Sequence, residues 1–180
     1  MMFRLCVYYL LFSLCLNAQD DTEAAPDYSK HVLTLDSTIK TLYGVISGEK
    51  GEMRNWDLFN YLFHEDAKLI PSGKNQENVS IARFMTPSDY INSSGTWLVE
   101  NGFYEIEIHR ETDRFGHIAQ VFSTYESYRS KLDATPFMRG INGIQLLNDG
   151  QRWWILNIYW MQENEANPIP KAYLPSQNKE

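Results

Sequence analysis

FMRGINGIQLLNDGQRWWILNIYWMQE, residues 137–163, holds two apolar segments, Phe137 to Leu147 and Arg152 to Met161, on either side of Asn148-Asp149-Gly150-Gln151. An Asp-Gly pair between apolar runs reads as a β-hairpin, because those residue types accept the positive φ that a type I′ turn demands. A two-residue loop at Asp149-Gly150 predicts the cross-strand pairs Leu147 with Arg152, Leu146 with Trp153, Ile144 with Ile155, Asn142 with Asn157 and Gly140 with Tyr159. The opposite face then carries Ile141, Trp154, Leu156, Ile158 and Trp160. Both faces of the ribbon are apolar, so both need a cover. A three-residue loop would exchange the faces of the second strand and separate Asn157 from Asn142.

Working outward, the chain has 180 residues, 43% of them apolar and 14% aromatic, which is enough for one globular domain. A net charge of −7 with singly scattered basic residues offers no electrostatic footprint for nucleic acid and no polybasic membrane patch. Met1 to Ala18 reads as a secretory signal: Arg4 is the charged start, Leu5 to Leu16 the apolar run, and Ala18 the small residue before a cut. The run is too short to span a membrane. Leucine precedes both Cys6 and Cys15, so neither sits in a lipid-anchor context. The expectation is an exported protein, periplasmic or secreted, without a membrane anchor. Cleavage after Ala18 would leave no thiol, hence no cysteine nucleophile, disulfide or thiolate metal site.

Residues 19–31 are acidic and polar and read as a linker. Leu35, Ile39, Leu42, Tyr43 and Ile46 then recur at helical spacing. A second helix is expected with Asn55 as N-cap and Trp56, Phe59, Leu62 and Phe63 on its buried face. Ala67 to Pro71 is a short strand, Val79 to Phe84 a possible one, and Thr86-Pro87 starts a third helix running to about Glu100. Gly102 to Thr112 and His117 to Ser130 are alternating strands. Residues 163–180 hold prolines without periodicity, and read as a surface strap or a disordered tail.

Helices first and antiparallel strands last make an α+β domain. In this order, with the stretches Leu62-Phe63-His64-Glu65-Asp66-Ala67, Tyr43-Gly44-Val45-Ile46-Ser47-Gly48, Arg54-Asn55-Trp56-Asp57, Val121-Phe122-Ser123-Thr124-Tyr125-Glu126 and Arg139-Gly140-Ile141-Asn142, residues 32–162 resemble the nuclear transport factor 2 superfamily, in particular a SnoaL-like branch of uncharacterised exported proteins. The resemblance implies a cone: three N-terminal helices packed in a curved antiparallel sheet, with a pocket between them. It is informative for fold and weak for activity, since the superfamily includes isomerases, dehydratases, cyclases and non-catalytic binders.

On that cone the inward positions include Ser123, Tyr125, Asn142, Asn157 and Tyr159, with Tyr43 and Trp56 on the facing helices. Together they form an expected ligand pocket for a small apolar or weakly polar molecule, apolar with neutral polar anchors. In the competing reading these amides and hydroxyls satisfy one another in a filled core. Steroid-isomerase-like members keep an acidic base where this chain has Pro71, and a protonated acid where it has Asn142, so their mechanism does not carry over and no catalytic residue is assigned. Glu105 and Glu107 alternate with Ile106 and Ile108, and the economical assignment turns the isoleucines inward. His109 and His117 face each other across their hairpin on this reading, a poor metal site without a third ligand. Glu126 and Arg139 are expected as a cross-strand ion pair on the outer face.

No glycine-rich phosphate loop, Gly-x-Ser-x-Gly elbow or His-Glu-x-x-His motif is present, so no cofactor or metal is expected. Three classes remain in order: a small-molecule binder, an acid–base enzyme of the ketosteroid isomerase or dehydratase type, and an interaction module with a filled core. The enzyme requires Glu105, Glu107 or His117 to turn inward. Trp154, Ile158 and Trp160 on the outer face point to a homodimer, with the tail as the alternative cover.

Overall fold

The structure, a computed structural model, describes residues 26–176. The expected signal segment Met1 to Ala18, with Cys6 and Cys15, and most of the linker lie outside the described residues.

Helix α1 (Leu35–Ile46) is started by Thr34, whose hydroxyl accepts from Ser37 N while Ser37 Oγ accepts from Thr34 N, a reciprocal cap. Its Ile39, Leu42, Tyr43 and Ile46 are buried, as the spacing predicts. Helix α2 (Trp56–Tyr61) is a short one, with Asn55 Oδ1 accepting from Leu58 N at 2.9 Å. The chain turns at Leu62, so Phe63 opens strand β1 (Phe63–Lys74) instead of ending the helix, and β1 is longer than the expected Ala67–Pro71 strand. A brief β2 (Ser80–Ala82) precedes α3 (Pro87–Asn101), which begins at the Thr86 cap with proline in its first turn. Four long strands follow: β3 (Tyr104–Phe115), β4 (Ile118–Tyr128), β5 (Met138–Asn148) and β6 (Trp153–Gln162). No helix among the described residues is long and apolar enough to cross a membrane.

The strands form one open sheet in the order β2-β1-β6-β5-β4-β3. All neighbours are antiparallel except β1 and β6, so the sheet is mixed and not wholly antiparallel. Parallel pairing needs a long crossover, and here α3 and the β3–β5 meander supply it. The three helices cover one face. Ile39, Leu42, Phe59, Leu62 and Leu98 pack there against Val121, Tyr125, Ile144, Leu146, Ile155 and Ile158. Arg54 joins the helix ends: its buried guanidinium donates to Ile46 O at 2.9 Å, Gly48 O at 2.8 Å and Leu98 O at 3.1 Å. These carbonyls lie at or just beyond helix C-terminal turns, where the helix itself offers no donor.

Two register breaks decide which side chains face the helices. The β5–β6 connection spans Asp149 to Arg152, with Asn148 opposite Trp153, and is longer than the predicted two-residue turn. Asp149 draws the loop together itself: its carboxylate accepts from Gln151 N and Arg152 N, both at 2.8 Å, and from Trp154 Nε1 at 2.7 Å. Those donors, the indole first, hold its pKa down to about 2. Leu146 pairs with Ile155, but Gln145 pairs with Asn157, leaving Leu156 as an extra residue. This bulge flips the rest of β6. Ile158 and Trp160, expected outside, face the helices, while Asn157 and Tyr159, expected inside, face away. On the outer face Asn157 Nδ2 donates to Gln145 Oε1 at 2.7 Å, and Tyr159 is 51% exposed.

The second break lies in β3. From the turn at Gly116, Arg110 pairs with Ser123 and His109 with Thr124, but Glu107 then pairs with Tyr125, so Ile108 is extra. Without it Ile106 and Ile108 would face inward, as the alternation predicts. With it Glu105 and Glu107 face inward and Ile106 is 52% exposed.

Candidate functional site

Between the helices and the sheet lies a cavity of about 200 Å³. Its apolar wall comes from Leu42 and Ile46 of α1, Phe59 of α2, Leu98 of α3 and Leu69, Phe103, Met138, Ile158 and Trp160 of the sheet and its approaches. Residues with polar side chains on the wall are Glu105, Asn142, Tyr90, Tyr125 and Ser94, besides the indoles of Trp97 and Trp160.

Among the described residues, Glu105 is the only ionisable carboxylate or imidazole on this wall. Asn142 Nδ2 donates to its Oε1 at 3.2 Å and Ser127 Oγ to its Oε2 at 3.4 Å. Among the described residues it makes no ion pair. Burial raises its pKa to about 7, and the two neutral donors only partly oppose that rise. The phenols of Tyr90 and Tyr125 are also raised, first by burial and then by the charge of Glu105. Tyr125 stands across from Gly140, where a Cβ would come within 2.5 Å of its hydroxyl; glycine there gives the ring its place.

Behind Asn142 runs a chain of hydrogen bonds whose direction can be assigned end to end. Asn142 Nδ2 donates to Tyr43 Oη at 3.0 Å, which leaves the phenol free to donate to Ser123 Oγ at 2.7 Å. Ser123 in turn donates to Glu107 Oε1 at 2.5 Å. Arg110 closes the chain with two donors on Glu107 and a third on Asp36. A neutral amide shuttles no proton, so the chain fixes the rotamer of Asn142 and does not connect Glu105 to solvent.

Of the expected pocket residues, Tyr125 and Asn142 line the cavity. Tyr43 and Ser123 are buried one layer behind it, holding Asn142. Trp56 packs edge-on to Phe59 and against Gly95 of α3, backing the wall without reaching it. Asn157 and Tyr159 are on the other side of the sheet, for the reason given by the β6 bulge. Strict alternation places Glu105 outward, the helical pattern puts Phe59 on a buried face without assigning it to the pocket, and nothing in the sequence singles out Tyr90. No local signal marks the inward turn of Glu105: Phe103 and Tyr104, adjacent aromatics of opposite parity at the start of β3, are both buried.

His109 lies on the outer face against Glu111 at 3.0 Å, while His117 is exposed in the β3–β4 turn, so the two do not meet. No group of three or more His, Cys, Asp or Glu among the described residues is placed to hold a metal ion. Glu126 and Arg139 do pair across β4 and β5, at 3.8 Å, and Glu163 of the tail joins Arg139 at 2.8 Å.

No protein-family model and no curated protein matches the chain in sequence. Solved structures of like shape do. A nuclear transport factor 2-like protein of unknown function from Silicibacter pomeroyi is 13% identical and superposes with a TM-score of 0.52 over 77% of this chain and 100% of its own. A candidate scytalone dehydratase from Novosphingobium aromaticivorans is 12% identical, with a TM-score of 0.51 over 81% and 92% of the two chains. The β subunit of a candidate aromatic-ring-hydroxylating dioxygenase from the same organism is 9% identical, with a TM-score of 0.55 over 74% and 94%. The fold is therefore the nuclear transport factor 2-like cone.

Proposed function

We propose that this nuclear transport factor 2-like domain takes a small, mostly apolar molecule into its cavity and exchanges a proton with it through Glu105. The observation that carries this reading is a carboxyl group set in an apolar wall with neutral donors and no cation. Such a group is a useful base at neutral pH, since it loses its proton near the pH at which it works. Tyr90 and Tyr125 have hydroxyls without a protein hydrogen-bond partner among the described residues, and they would polarise a carbonyl while Glu105 removes the neighbouring proton. An engineered cavity of about 150 Å³ holds benzene, so one of this size suits a single-ring molecule.

Incubation with single-ring ketones such as cyclohexanone in deuterium oxide, with mass spectrometry of the recovered ketone, tests this. Deuterium should enter next to the carbonyl at a rate that rises with pH through about 7, where the carboxyl ionises. Glu105→Gln should slow it by about a hundredfold or more. Ketones that bind the wild type without accelerated exchange would reduce the cavity to a binding site. Absence of binding by any of them would favour a filled core and an interaction role.

A further inference from the structure

We infer that Arg129 forms an anion subsite at the mouth of the cavity, selecting ligands whose outward end is a carboxylate. This rests on the reading that the cavity takes a ligand, and it specifies the chemical class. Trp97 lines the cavity yet is 42% exposed, so it stands where wall becomes surface. The Arg129 guanidinium carbon lies 4.3 Å from the Trp97 ring centre and 4.1 Å from that of Phe137. Phe103, also on the cavity wall, meets both rings edge-on, at 6.4 and 6.2 Å. The guanidinium is thus held between two aromatic faces at the rim, with its N–H edge free to point outward.

Like Arg114 of β3, which lies over the Trp153 ring and off the cavity wall, Arg129 has no carboxylate partner among the described residues. Arg110 and Arg139 both engage carboxylates, whereas Arg129 makes no ion pair among the described residues. Asp133, the acid nearest in its own loop, spends Oδ2 on the backbone N–H groups of Arg129 and Ser130, at 2.9 and 3.1 Å. Lys131 adds a second cation on the same turn, 5.2 Å from the Tyr104 ring centre.

The interior sets the orientation of a bound acid. Apolar walls do not solvate a carboxylate, and Glu105 repels one when ionised. An acid would therefore enter with its apolar body first and leave its charge at the rim. The chain as a whole carries a net charge of −7 and gives an anion no long-range attraction, so discrimination has to come from this short-range contact.

Titration calorimetry with 3-phenylpropanoate and its neutral counterpart 3-phenylpropanol, which share one apolar body, reads the subsite directly. The wild type should prefer the carboxylate by about three- to tenfold, and the preference should shrink in high salt. Arg129→Gln should remove the preference and leave the affinity for the alcohol unchanged. Arg129→Lys should retain part of it, since the charge stays and the stacked fork is lost. Equal binding of both probes by the wild type would overturn the inference and leave the cavity reading standing, as would equal weakening of both by Arg129→Gln. Failure of both probes to bind the folded wild type would overturn the cavity reading and this subsite with it.

Discussion

At the scale of single residues, Glu105 links stability to pH in a direction opposite to most surface carboxylates. Its ordinary value of 4.5 becomes about 7 in the folded protein. Below about pH 4 the group is protonated whether the chain is folded or not, and it imposes no penalty. As pH rises from there toward 7, the unfolded chain gives up this proton while the folded one keeps it, so stability falls, and it levels off above the folded value. Glu105→Gln cannot ionise and escapes the penalty. Urea unfolding should find wild type and variant nearly equal at about pH 4, with the variant more stable by up to about 3 kcal/mol at about pH 8. A difference that stays flat across that window would mean that the carboxyl is well solvated, and the proposed base would go with it.

Elements here are positioned by a few buried polar contacts as much as by apolar packing. Arg54 is the clearest case, because one guanidinium serves the carbonyls at the end of α1, in the following turn and in the last turn of α3. Gly48 lies under it; a Cβ there would sit 2.4 Å from Arg54 Nη1. Arg54→Met keeps most of the packing and leaves those carbonyls without donors, so thermal unfolding should show a loss of about 2–4 kcal/mol, with Arg54→Lys intermediate. A loss within a few tenths would mean that water replaces the guanidinium without cost. The bulges at Ile108 and Leu156 act at the same scale: each moves several side chains to the other face for the insertion of one residue.

For the molecule as a whole, the outer face of the sheet is partly covered by the chain itself. Past β6 the tail is tied down where Ile169 N donates to Glu163 and Arg139 holds the same carboxylate. Ile169 is buried, the Tyr173 ring meets Phe122 edge-on at 4.9 Å, and Thr124 Oγ1 donates to Tyr173 O at 2.6 Å. Toward the far end of that face Phe115 and Ile118 stay 84% and 50% exposed. Self-association through the outer face remains a proposal, with a smaller apolar set than Trp154, Ile158 and Trp160 together. Deletion of residues 164–180 should uncover Phe122, Ile141 and Met161, cost about 2–3 kcal/mol from lost burial of Ile169 and Tyr173, and raise both dye binding and the mass seen by light scattering. Unchanged dye binding and mass would show that the tail does not shield this face.

The local signals were legible in the sequence because they act over a few residues. Asn55, Thr86 and Pro87 mark helix starts by satisfying or lacking nearby N–H groups, and the spacing of Ile39, Leu42, Tyr43 and Ile46 marks a buried helical face. The resemblance carried the order of elements, and with it the cone. The lining of the cavity was not legible to the same degree. Alternation assigns strand faces only while the register is unbroken, and one extra residue reverses every position beyond it. Ile108 and Leu156 carry no local mark that would single them out as bulges; the packing of the sheet against the helices put them there. That packing brought Glu105, Ile158 and Trp160 to the cavity and sent Asn157 and Tyr159 to the outer surface. The tertiary structure alone therefore decided that the cavity holds a carboxyl group.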